Sequence, residues 1–496
     1  MTAAQSPLAN FIGKFTVLNG AARELWLTFA VKFLNLAAYT VTNFTLKLWL
    51  SHEFGYTDRQ ALGLIAVWSI SMTVVTLLVG ALTDAIGLRK TFFLGIGICL
   101  FARAVMVLAP TPWMAIGFGL FPLAVGEALG TPVLIAAVRK FSTTRQRSIS
   151  FSIAYMMVNI GSLVALSLFD RVHLGLGDHG RFILPATGIS LTTYRALFLV
   201  SFGLELLMLP LVWLMRPGAE VTDEGIRIIP PAAKRASANV LKNFFVAVAS
   251  SAKETIRIFR ELFKEREFYR LLIFLLLIAF LKLIFMQMYY VFPEFGLREL
   301  GKDALGNPPP VGALWGINSL LIIFLAPLVG ALTQRFPAYG MVTFGGILAA
   351  ASVFIMALPT AWFQPLTDGA FGQWLGHSYL GLTGAIHPYY VMIAIYVIVL
   401  SFGEAFYSPR VYEYASAISP KGQEASYGAL SYLPFLLAKL LIGTFSGTLL
   451  ATYCPATGER HSETMWLFVA LTATIAPVGL IALRSLIRVP EAGREK

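Results

Sequence analysis

Long apolar runs alternate with short polar breaks along almost the whole chain. A membrane-spanning helix needs about 20 mostly apolar residues. Twelve stretches qualify: 24–50, 61–82, 91–109, 113–138, 150–169, 196–215, 269–293, 312–333, 338–358, 386–411, 426–450 and 464–485. Six precede and six follow a polar stretch, 216–268, which carries Pro230, Pro231 and many charges. The pattern predicts an all-α membrane protein of twelve transmembrane helices: a six-helix bundle over 1–215, a cytoplasmic linker over 216–268 and a second six-helix bundle over 269–496. Within the linker, 236–267 predicts an amphipathic helix. Leu241, Phe245, Val248, Ile256, Phe259 and Phe263 recur near helical spacing, with Lys242, Lys253, Arg257, Arg260 and Lys264 between them. Such a helix lies on a membrane surface or binds a partner.

The two bundles are related. The string Val-Gly-Ala-Leu-Thr occurs at Val79–Thr83 and again at Val329–Thr333, and each copy closes an apolar run. A repeat at half the chain length predicts two pseudo-symmetric halves, the architecture of many secondary transporters. Charged residues make up 13% of the chain, against about 25% in soluble domains. The net charge of +12 is placed by the positive-inside rule. With the N-terminus cytoplasmic, most Lys and Arg fall in cytoplasmic segments: Arg89 and Lys90, Arg139 to Arg147, the linker and Arg484 to Lys496. Both termini are therefore expected inside, and no nucleic acid is needed to explain the basicity. The expected setting is a bacterial cytoplasmic membrane, with the lipid bilayer, protons and a small solute as partners, and a monomer as the assembly.

The candidate chemistry is ionic rather than catalytic. Cys99 falls in a span and Cys454 in a loop, so neither a disulfide nor a metal site is expected. His52, His173, His179, His377, His387 and His461 sit in loops or near span ends, which argues against an intramembrane enzyme. No phosphate-binding Walker loop occurs, and no cofactor is expected. Ionisable side chains inside spans are costly and usually paired or functional. Lys32, Arg103, Glu127, Glu205, Lys282, Glu404 and Lys439 lie well inside. Lys32 and Glu127 have similar depth, which predicts a charge pair. Lys282 and Lys439 leave the second half with surplus positive charge, which favours an anionic or zwitterionic solute. Glu127 and Glu404 are the carboxylates available for proton coupling. Arg410 and Glu413, three residues apart, can pair on one helix face and are candidate gate residues. Gln287, Tyr290 and Asn318 are expected along a central cavity.

The string Gly80-Ala-Leu-Thr-Asp84-Ala-Ile-Gly87-Leu-Arg89-Lys90 resembles the loop between helices 2 and 3 of the major facilitator superfamily. That resemblance implies the major facilitator fold and a gating role for Asp84 and Arg89. The second copy has Gln334 in place of the acid, so the charged latch is expected on one side only. Within the superfamily the chain resembles the proton-dependent oligopeptide transporter branch. Gly126 to Pro132 is similar to its helix 4 signature, Phe151 to Leu163 to its helix 5, Asn318 to Pro327 to its helix 8, and Gly403 to Pro409 to its helix 10. Tyr155 and Asn159 fall on these motifs and become substrate-binding candidates. The branch's helix 1 motif, Glu-x-x-Glu-Arg-Phe-x-Tyr-Tyr, aligns with Lys32, Asn35, Leu36, Ala37 and Tyr39. Both acids and the arginine are missing, and Thr131 replaces the helix 4 lysine. The expected function is alternating-access transport of a small anionic or zwitterionic solute by proton symport, with Lys32, Asn35, Tyr39, Lys282 and Lys439 among the binding residues. Proton antiport, facilitated diffusion of an amphiphilic solute and a non-transporting sensor are the alternatives.

Overall fold

The structure is a computed structural model. It describes residues 16–489 except 79–86, 144, 186–187, 223, 229–245, 334 and 419–432. Between 247 and 262 it describes only 249, 250, 253, 257 and 260. Eleven of the described helices are long and apolar enough to cross a membrane. They are α1 (Arg23–Phe54), α2 (Asp58–Leu78), α3 (Leu88–Leu108), α4 (Pro112–Lys140), α5 (Arg147–Leu176), α6 (Thr193–Leu214), α7 (Arg266–Tyr290), α8 (Val311–Leu332), α9 (Ala338–Phe354), α10 (Pro388–Ile418) and α12 (Ser462–Ala482). The remaining expected span lies partly outside the described residues. Its described part, α11 over 433–453, is helical throughout, with a π turn at Ile442–Ser446. A second π turn, Ala115–Leu120, lies in α4.

The spans form where the sequence is apolar because a backbone in hydrocarbon must satisfy its hydrogen bonds within the segment. Several helices outrun the expected bounds. Expected to end at 169, α5 continues to Leu176. Polarity rises at Asp170, Arg171 and His173, but two of these side chains have protein partners. His173 Nε2 lies 2.7 Å from Asp178 Oδ1, and Asp170 accepts bonds from α8. By contrast α7 stops at Tyr290, and a separate short helix, Phe292–Glu299, starts with Pro293 in its first turn. Two hairpins were not expected from the periodicity: β1 (Arg181–Ile183) with β2 (Ser190–Thr192), and β3 (Ala219–Thr222) with β4 (Gly225–Ile228). The 358–386 connection also contains short helical segments from Thr360 to Tyr379. Most of the expected 236–267 helix lies outside the described residues; Val246, Ala249, Ser250, Lys253, Arg257 and Arg260 are helical.

Contacts divide the chain into two compact units. The first comprises Met1–Tyr39, Ser71–Gly161 and Leu199–Ile256; the second comprises Thr40–Ile70, Ser162–Phe198 and Arg257–Lys496. In the first, α3 crosses α4 on small residues: a Cβ added at Gly126 would lie 2.5 Å from Cys99 Sγ. In the second, α9 and α10 meet in the same way, since a Cβ at Gly403 would lie 2.7 Å from the Ala349 nitrogen. Small residues let helix backbones approach closely in a membrane. The spans also expose large apolar side chains, among them Phe101, Trp213, Phe324 and Leu471, as lipid-facing helices do. The most enclosed spans are α7 and α10, which carry Lys282 and Glu404.

Candidate functional site

In the first unit the buried charges form one network. Arg103 on α3 is fully buried. Its guanidinium donates to Glu127 on α4 at 2.5 Å, to Glu205 on α6 at 3.0 Å and to Ser201 at 2.6 Å. Ser201 donates in turn to the Ala38 carbonyl of α1 at 2.9 Å. The expected Lys32–Glu127 ion pair is thus corrected: the direct partner of Glu127 is Arg103. Lys32 acts on Glu127 only through space, with no ion pair within 4 Å. Equal depth along two helices fixes neither their rotation nor their neighbours, and Arg103 reaches Glu127 because α3 and α4 nearly touch. Beside the triad lies a cavity of about 20 Å³, lined by Asn35, Thr91, Cys99 and Glu205 among others. That is room for about one water. One ligand atom each from Cys99, Glu127 and Glu205 lie within 4.8 Å of one another, but a metal there would have to displace the Arg103 guanidinium from both carboxylates.

The other first-unit candidates are placed as follows. Asn35 lines that cavity and faces Gly130 of α4, where a Cβ would meet its amide at 3.4 Å. Tyr39 is half-buried, and Tyr155 is 39% exposed. Asn159 is nearly buried and donates back to the Tyr155 carbonyl at 3.2 Å. Arg89 donates to the Trp213 carbonyl at 2.7 Å and lies over the Phe93 ring, a contact that ties α3 to the end of α6. Asp84 and the first copy of the repeat lie outside the described residues.

Among α7, α8 and α10 of the second unit, Glu404 and Lys282 each have a neutral hydrogen-bond partner. Glu404 on α10 accepts from the Asn318 amide of α8 at 2.9 Å, and the same amide donates to Ser401 at 3.0 Å. Lys282 on α7 donates to Ser408 at 3.3 Å and lies over the Phe285 and Tyr407 rings at 5.6 and 5.1 Å. Lys282 and Glu404 also attract each other through space. The structure therefore brings Lys282, Asn318 and Glu404 together. Three other candidates make their bonds elsewhere. Gln287 donates to Ser446 on α11 at 2.6 Å, Tyr290 binds Asn43, and Lys439 donates to the Ser69 carbonyl at 3.3 Å. Arg410 pairs with Glu413 as its spacing predicted, and also donates to Thr333 of the second repeat copy at 3.0 Å.

A further cluster escaped the sequence reading. Lys47 on α1 lies 2.7 Å from both Asp58 and Glu294, and Arg298 lies 2.8 Å from the same two acids. His52 lies 3.2 Å from Glu294. Lys47 and Glu294 are almost fully buried. Burial pushes the Glu294 carboxyl upward, but Lys47, His52 and Arg298 outweigh it and hold the group well below the usual carboxylate range. Nearby, Asp170 accepts at 2.8 Å from Gly312 N–H and at 2.5 Å from Ala313 N–H, at the start of α8. A negative charge there is favourable to the helix dipole. Gly312 is required at this crossing, because a Cβ would lie 2.4 Å from the Leu166 carbonyl. The signal for Lys47 is a lysine within the apolar string Thr-Leu-Lys-Leu-Trp, inside the expected 24–50 span.

The family model described as Major Facilitator Superfamily matches residues 28–372. No curated protein sequence matches. Solved structures match over nearly the full length. One comes from work on substrate recognition in proton dependent oligopeptide transporters, with TM-score 0.67 and 18% identity over 94% of this chain and 98% of that one. A POT family transporter in complex with 5-aminolevulinic acid has TM-score 0.66 and 15% identity over 94% and 97%. Peptide transporter POT in complex with sulfate has TM-score 0.65 and 16% identity over 94% and 95%. At these identities the likeness is one of fold.

Proposed function

Because the chain belongs to the Major Facilitator Superfamily, we propose that it is a secondary active transporter of a small anionic or zwitterionic solute, driven by proton symport. The carrying observation is the α7–α8–α10 cluster. Lys282 and Glu404 face each other through space while their hydrogen bonds go to Ser408 and Asn318. A buried cation bonded to a hydroxyl and lying over two aromatic faces offers a charge-assisted site for a solute carboxylate, phosphonate or sulfate. The similar folds solved with sulfate and with 5-aminolevulinic acid support ligands of that charge. Glu404 is the carboxylate whose charge responds when Lys282 engages the solute, which makes it the coupling residue.

In this reading the protein has two pseudo-symmetric bundles, 1–215 and 269–496, joined by a linker over 216–268. It works as a monomer in a bacterial cytoplasmic membrane with both termini inside. The Lys47–Asp58–Glu294–Arg298 cluster then lies toward the outer ends of α1, α2 and α7. It acts as an outer latch that must part before solute enters from outside. Alternating access follows if solute and proton bias the same conformational equilibrium.

The test is counter-flow and pH-gradient-driven uptake in proteoliposomes, with 5-aminolevulinic acid, dipeptides and sulfate as probes. Glu404→Gln should abolish gradient-driven accumulation and leave exchange largely intact. Lys282→Gln should weaken an anionic probe far more than its neutral analogue. Equal loss of both assays in Glu404→Gln, or no flux of any probe, overturns the reading. Cysteine labelling sets the orientation: external access at Ser142 with protection at Gly376 overturns it.

A further inference from the structure

We propose that Arg103, Glu127 and Glu205 form a proton-binding site within the first unit, in which two carboxylates share one proton over one guanidinium. Two carboxylates meet a single arginine, all three side chains being at least nine-tenths buried. With both acids ionised the triad carries one excess negative charge. An uncompensated charge in a low-dielectric site is costly, and the usual outcome is that the group takes up a proton.

Among the described residues, Cys99, Ser201 and Lys32 are the other polar or titratable groups that act on the triad. Cys99 on α3 lies beside both acids and supplies no positive charge. Ser201 on α6 accepts from Arg103 and directs its own proton to the Ala38 carbonyl, so it neutralises nothing. Lys32 on α1 is half-buried and reaches Glu127 only through space. Lys32 therefore offsets part of the excess without removing it. Geometry supplies a place for a proton carrier next to the triad. Glu205 borders the cavity of about 20 Å³, which has polar neighbours in Asn35 and Thr91 and space for the single water that would deliver the proton. The step is balanced: a carboxylate takes one proton to become a carboxylic acid, and the excess charge disappears.

This site deepens the proton-coupled reading but is measured without transport. The experiment is infrared difference spectroscopy of the purified full-length protein between acid and alkaline buffers, with no solute added. Among the carbonyl bands of protonated carboxylic acids, which shift in D2O, one should persist in Asp170→Asn and in Glu404→Gln. The same band should vanish in both Glu205→Gln and Glu127→Gln, since either change leaves one carboxylate on one guanidinium. Glu205→Asp keeps the acid and should shift the band; it carries the test if the glutamine variants fail to fold. The absence of any titrating carboxylic-acid band in the wild type overturns the proposal. So does a band unmoved in Glu205→Asp or retained in both glutamine variants. A band assigned to this triad in a protein that moves no probe would leave the site standing and the transport reading refuted.

Discussion

Two clusters of buried charge, one in each unit, are built in opposite ways. Around Arg103, acid and base touch, and each nitrogen of the guanidinium has its own acceptor. Around Lys282 and Glu404, an amide and a hydroxyl stand as each charge's hydrogen-bond partner. Direct pairs in a low dielectric are hard to separate, because parting them strands both charges. Charges spaced by neutral partners can change company cheaply. The first arrangement suits a fixed frame, and the second suits a place where a solute comes and goes.

Substitutions that remove one charge from each region break or sharpen this contrast. The largest effect is expected at Arg103. Arg103→Met strands two buried carboxylates and should cost about 3–5 kcal/mol, read as a loss of thermal stability in detergent. Lys282→Met should cost less than half of that; comparable losses would erase the distinction. Next comes the latch, which is also built of direct pairs. Glu294→Gln weakens charge-assisted bonds worth about 1.5–3 kcal/mol. It should raise labelling of Leu46→Cys, in a background lacking Cys99 and Cys454, by about tenfold or more.

The pH dependence of that labelling has a definite sign. The folded Glu294 carboxyl titrates below its unfolded value. The latch's contribution is therefore present above the usual carboxylate pKa of about 4.3, and it is lost only as pH falls through the lower folded value. Labelling should stay slow from pH 8 to 5. A rise within that window would show that another group governs the latch. Smaller effects belong to double-mutant cycles. Arg103 with Glu127 should couple by about 1–3 kcal/mol, Lys32 with Glu127 by less, and the partly exposed Arg410–Glu413 pair by about 0.3–0.5 kcal/mol.

The spans were legible in the sequence because hydropathy reports one quantity, depth, and depth decides whether a helix can cross a membrane. Thus α3, α8 and α12 lie within a few residues of expectation. The pairings were not legible, because a pair also needs helix rotation and neighbour identity. Lys32, Arg103 and Glu127 all read as deep; only packing at Gly126 and Cys99 gave Glu127 to Arg103. Arg410 and Glu413 were readable because both lie on one helix, where spacing alone fixes the contact. Lys47 and Asp170 escaped for a different reason. Lys47 pairs with Asp58 across the α1–α2 turn and with Glu294 more than two hundred residues away. The Gly312 and Ala313 amides that hold Asp170 are more than a hundred residues from it, so hydropathy along the chain carries no sign of either contact.

The π turn at Ala115–Leu120 bears on which insertions and deletions this chain tolerates. Such a turn holds one residue more than an α-helix needs. Deleting a residue there would restore regular winding and leave the face that carries Glu127 where it is. The same deletion between the turn and Glu127 would rotate one side of α4 against the other by about 100° and pull the carboxylate off Arg103. From the turn to Glu127, single-residue deletions are therefore expected to survive only within 115–120, and a deletion library over 115–127 would show it.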